Sequence, residues 1–184
     1  SSTFLEQSAP WPSKLPVKEE ERPLRVGIVQ SVIPGFQDYV ENPTNPQLLG
    51  LPLRTRRRAH LAAIMEGVAQ MLHIRRTHRD IPRADNRSLD LLVFPELAVH
   101  PDDIDPLILP FVRQHRCIVL VGQVYHPRDD APGSPLINSA LWLVPEWSQS
   151  HGLQVRRIEQ GKRNLTRDEQ GLAPAPVGFR PVQW

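Results

Sequence analysis

SLDLLVFPELA, residues 88–98, decides how this chain is read. Leu89, Leu91, Leu92, Val93 and Phe94 form a near-continuous apolar run, the pattern of a strand covered on both faces. Pro95 has no N–H to give to a sheet, so pairing is expected to stop there. Glu96 then stands where the strand opens into a loop, and α/β proteins place ligand chemistry at such tips. Taken alone, the stretch also fits a plainer reading, a carboxylate that caps the next turn.

Toward the N-terminus, LRVGIVQ at residues 24–30 reads as a first strand. Val26, Ile28 and Gln30 face one way, and Arg25, Gly27 and Val29 the other. Residues 31–53 are expected as a long, proline-punctuated loop. Residues 55–75 carry the clearest helix signal, with Leu61, Ile64, Met65, Val68 and Leu72 on one stripe. Arg54, Arg56, Arg57 and Arg58 crowd its start, the end of the helix dipole that disfavours cations. The cluster therefore points to an anionic neighbour. A solvated basic face and a nucleic-acid contact are the alternatives. Residues 75–87 form a polar connection with two more arginine clusters.

Toward the C-terminus, Asp105 and Pro106 fit an N-cap and first helical position. Ile104, Leu107, Ile108, Phe111 and Val112 then follow a helical stripe, which Pro110 either kinks or begins. Residues 117–122 are another buried-type strand, residues 138–144 a fourth strand and residues 154–159 a fifth, more polar one. Residues 126–135 and 145–152 are expected as loops or hairpin connections. The order is strand, helix, strand, helix, strand, then consecutive strands. This is an α/β chain in which parallel βαβ units give way to a meander.

The 184 residues suffice for one domain with a real core, and 40% hydrophobic with 23% charged residues is ordinary for a globular protein. A net charge of +2 announces neither a nucleic-acid nor a membrane partner. Residues 1–23 mix Ser, Pro, Lys and Glu with little periodicity and read as a linker or extended arm ahead of a domain at residues 24–184. The single cysteine excludes an internal disulfide framework, and no Cys/His pair has zinc-ligand spacing. His73 and His78 lack the rest of a ligand set and read as surface residues. No apolar run reaches membrane-spanning length, so the expected setting is cytoplasmic, with no membrane contact.

Taken together, the motifs resemble the nitrilase, or carbon–nitrogen hydrolase, superfamily. RVGIVQ at residues 25–30 is similar to that family's opening strand, and LDLLVFPELAV at residues 89–99 to the strand whose Pro-Glu carries its catalytic glutamate. CIVLVG at residues 117–122 resembles the third strand, and INSALWLV at residues 137–144 the Asn-Ser strand. GKRNL at residues 161–165 stands where the family places its catalytic lysine. No single piece is specific; their common order and spacing carry the resemblance, over roughly residues 24–184.

The resemblance implies an αββα sandwich, incomplete in this chain, and a Glu-Lys-Cys triad acting on a small amide or nitrile without a metal or other cofactor. It gives Glu96 the general-base role and Lys162 the oxyanion-stabilising role. Glu169, with Asp168 beside it, is the candidate for a substrate-positioning carboxylate. Cys117 opens an apolar strand and reads as a small buried hydrophobe. The nucleophile is therefore expected beyond Trp184. The lysine motif departs from the family's pattern, with Gln160-Gly161 before the lysine and Asn164-Leu165 in place of His-Leu. The family also implies self-association or a neighbouring domain. The alternative is a non-catalytic, nitrilase-like interaction module of a larger protein, such as a defence reverse transcriptase, with the arginine clusters against nucleic acid.

Overall fold

The computed structural model describes residues 24–41, 51–78, 89–128 and 136–162, together with Asn164 and Thr166. The proposed arm at residues 1–23 lies outside them. Five strands form one sheet: β1 (Val26–Ile28), β2 (Leu91–Val93), β3 (Ile118–Gly122), β6 (Ser139–Ser148) and β7 (Gly152–Gly161), side by side in that order. β1, β2 and β3 run parallel, with Gly27 opposite Leu92 and Leu92 opposite Val119. β3, β6 and β7 run antiparallel, so the expected change from crossover units to a meander occurs at β3. A small ribbon, β4 (His126–Pro127) with β5 (Leu136–Ile137), stands beside the sheet.

Side-chain alternation sets the core. The register puts Leu92, Val119, Val121, Leu141 and Leu143 on one face, and each is buried. α2 (Pro52–Thr77) contributes Leu61, Met65 and Leu72 to the same core, as its stripe predicts. Each such side chain contributes about 1.5–3 kcal/mol on burial. A short helix α1 (Phe36–Glu41) interrupts the stretch expected as loop.

The opposite face of the sheet is less covered. Val26 is 45% exposed, Ile28 80% and Ile158 43%. Leu91 and Val93 are half-buried, so the apolar run of β2 is fully covered on one face only, among the described residues.

The second helical segment begins earlier than Asp105. Its N-cap is His100, whose Nδ1 accepts the Asp102 N–H at 3.2 Å, and Pro101 follows at the first helical position. α3 (Pro101–Asp103) leads through a π-helical turn (Ile104–Ile108) into α4 (Leu109–His115). Pro106 and Pro110 would each break a regular ladder. In the widened turn the Leu109 N–H instead reaches the Ile104 carbonyl, which carries the chain past them. Ile104, Ile108, Phe111 and Val112 complete the core.

β6 and β7 are longer than expected and absorb most of residues 145–152. Pro145 is tolerated inside β6 because β6 meets β3 only as far as Leu143. Beyond it, one side of β6 has no ladder to break.

Candidate functional site

Glu96 is held by three features, each set by a specific residue. Strand pairing of β2 ends at Val93, and residues 95–96 cross directly over the tip of β3. A Cβ at Gly122 would lie 2.4 Å from the Pro95 carbonyl oxygen and 2.5 Å from Glu96 Cα. Only glycine permits that approach. Leu97 then turns the chain with φ 58°, a left-handed conformation unusual for a branched side chain. Arg57, buried on α2, closes the turn: its guanidinium donates to the carbonyls of Leu97 and Ala98. The Ala98 and Val99 N–H groups both donate to the Gly122 carbonyl at 3.0 Å.

Lys162 arrives from the other end of the sheet. It is the residue after β7, and its N–H donates to the Asn138 carbonyl at 2.7 Å. Its Nζ donates to Glu96 Oε1 at 2.8 Å. Asn138, buried at the start of β6, donates through Nδ2 to the same oxygen at 2.5 Å. The two residues singled out from sequence therefore meet, although they are 66 positions apart. The Glu96 side chain is 55% exposed and that of Lys162 28%. At that exposure the pair contributes little stability, on the order of 0–1 kcal/mol. Its significance is positional.

The pair stands in a cleft of about 390 Å³. Phe94, Leu120, Gly122 and Ala140 supply apolar lining, and Asn138 and Gln160 supply amides. An apolar pocket with a few convergent polar groups is the ordinary form of a small-molecule site. Chemically, it offers a carboxylate able to exchange protons beside an ammonium able to stabilise a developing negative charge.

The arginine cluster finds its anion within the chain. Arg54 pairs with the buried Asp103 of α3 at 2.8 Å, and Arg58 approaches the same carboxylate at 3.6 Å. Arg57 is taken up by the Glu96 turn, which leaves Arg56 and Arg58 as the exposed members. Beneath the turn, burial among Arg54 and Arg57 lowers the His100 pKa to about 4 and keeps the ring neutral.

Cys117 is fully buried at the start of β3, the strand whose other end lies beneath Glu96. Burial pushes its thiol up to about 12, so it has none of the thiolate character of a nucleophile. Glu169 and Asp168 lie outside the described residues. Among the described residues, no group of three His, Cys, Asp or Glu side chains could hold a metal.

A second polar cluster went unread in the sequence. Glu159 Oε1 receives Ser139 Oγ at 2.6 Å, Gln123 Nε2 at 2.8 Å and His126 Nε2 at 2.9 Å. These contacts, His126 first, hold the Glu159 carboxyl below its usual range. Ser, His and Glu here do not form a hydrolytic triad. The hydroxyl and the imidazole both meet the carboxylate, and Ser139 is buried. Nothing in the spacing of these residues announces the cluster; only the strand register brings them together.

Compared with known proteins, the chain matches no family model, no curated protein and no solved structure.

Proposed function

We propose that this chain carries the acid–base and oxyanion half of a nitrilase-type carbon–nitrogen hydrolase site. The observation that carries the reading is the 2.8 Å contact between Lys162 Nζ and Glu96 Oε1 at the rim of an apolar cleft. In this reading Glu96 takes the proton of a cysteine thiol, and the thiolate attacks the carbonyl carbon of an amide. The Lys162 ammonium stabilises the oxyanion that forms. As the tetrahedral species collapses, Glu96 returns the proton to the departing nitrogen. It then takes a proton from the water that cleaves the thioester. The parallel-to-antiparallel sheet and its half-exposed apolar face fit one sheet of an αββα sandwich, the fold the reading requires. Cys117 is excluded by burial, so the reading calls for a thiolate from a different cysteine.

The test is mass spectrometry of the full-length protein incubated with short carboxamides and nitriles. Ammonia release, with an acyl adduct on a cysteine other than Cys117, is the expected result. Absence of both across the panel overturns the reading.

A second reading, a non-catalytic module packed on another domain, draws on the exposed Val26 and Ile28 of β1 and Ile158 of β7, on the same face of the sheet. Its nucleic-acid form is weakened because Arg54 and Arg57 are spent on internal partners. It would require binding that falls steeply with salt; no retention of nucleic acid at low salt removes it.

A further inference from the structure

We propose that Glu159, which does not line the cleft, is a positioning residue for it. The proposal rests on the reading of Glu96 and Lys162 as the working pair. The argument begins with the sheet register. Glu159 pairs with Leu141, so it lies on the helix-covered face, while Gln160 and Ala140 line the cleft on the other. Successive residues Asn138 and Ser139 both border the cleft, but their side chains bond to different carboxylates. Asn138 donates to Glu96 in the cleft, and Ser139 donates to Glu159 behind it.

Glu159 also gathers the chain that follows β3. Gln123 Nε2 bonds both Glu159 and Ser139 Oγ at 2.9 Å, and the Gln123 N–H reaches the Ser139 carbonyl at 2.9 Å. His126 donates to the same carboxylate while its Nδ1 meets the Val124 carbonyl at 2.9 Å. One carboxylate oxygen thus ties the tips of β3, β6 and β7 together. Gly122 and Asn138 immediately precede Gln123 and Ser139, and Lys162 follows Glu159 by three residues; these are the positions that seat and contact Glu96. Without the tie, the 138–139 step could turn and Asn138 would leave Glu96. The Lys162 N–H, bonded to the Asn138 carbonyl, would loosen with it.

Hydrogen exchange followed by NMR on isotope-labelled protein, without substrate, tests this. In Glu159→Ala, the Asn138 side-chain amide protons and the Lys162 N–H are expected to exchange about tenfold or more faster, the factor for losing buried hydrogen bonds. Amides around the Leu143–Arg157 pair, in the middle of the hairpin, should stay within about twofold. Glu159→Gln keeps an oxygen that accepts from Ser139 and Gln123 and should recover most of the protection. Unchanged exchange at Asn138 and Lys162 overturns the proposal. So does an equal rise along the whole hairpin, which would make Glu159 a residue of general stability. Ser139→Ala, which removes one donor, applies the same criterion at smaller amplitude should Glu159→Ala fail to fold. Because no turnover is measured, a wild-type protein that hydrolyses no amide removes the hydrolase reading and leaves this result to be judged separately.

Discussion

Glu96 illustrates how little of a site's geometry its own residue type determines. A carboxylate after a strand is common; what makes this one usable is the absence of a side chain at Gly122 and the guanidinium of Arg57. Gly122→Ala forces a methyl group against backbone that cannot yield cheaply. We expect a loss of about 1–3 kcal/mol in urea unfolding, as for other overpacked sites, together with loss of the Glu96–Lys162 contact. An alanine variant of full stability would show that the crossing is not tight. Arg57→Met keeps the apolar stem but leaves the Leu97 and Ala98 carbonyls without their donor. The expected cost is about 1–3 kcal/mol. Wild-type stability in that variant would mean water replaces the guanidinium. Pro95-Glu96 could be read from sequence because it interrupts a strand pattern. Arg57 was visible only as one of a cluster, and its partners are carbonyls, which no sequence pattern reveals.

At the scale of elements, legibility followed periodicity. α2 was found because Leu61, Met65 and Leu72 repeat at helical spacing, and β3 because its apolar run is unbroken. The second helical segment begins five residues ahead of the expected Asp105–Pro106, since a π-helical turn hides proline from a rule built on regular ladders. Pro145 misled in the same way, because its tolerance depends on where β3 stops pairing with β6. β3 itself makes a chemical prediction. Its Cys117 thiol, buried and raised to about 12, should resist iodoacetamide at neutral pH in the folded protein and react only on unfolding. Rapid labelling of the native protein would show that the start of β3 opens.

For the molecule as a whole, stability should depend on pH through groups behind the cleft. His100 is neutral when folded, with its pKa lowered from 6.5 to about 4. It faces Arg54 and Arg57 of α2, which oppose protonation, and Asp102 and Asp103, which favour it. Below about pH 6.5 the unfolded chain takes up a proton that the folded chain refuses. Stability is therefore full above that pH and falls toward pH 4, by up to about 3 kcal/mol. Glu159 extends the loss to lower pH: its carboxyl is held below the usual range, so the unfolded chain again protonates first. His100→Asn can keep the helix cap while removing the titration. Its melting temperature should fall less than that of wild type between pH 7 and 5. Equal slopes would assign the loss elsewhere.

The account turns on one pair of side chains performing one task, and kinetics on the full-length protein tests it most directly. Once a carboxamide substrate is in hand, kcat/KM should be compared for wild type and Glu96→Gln, a change that preserves shape and removes the base. The expected fall is at least about a hundredfold, the usual contribution of a general base, with the fold intact by circular dichroism. A Glu96→Gln protein that hydrolyses the amide at the wild-type rate would contradict it.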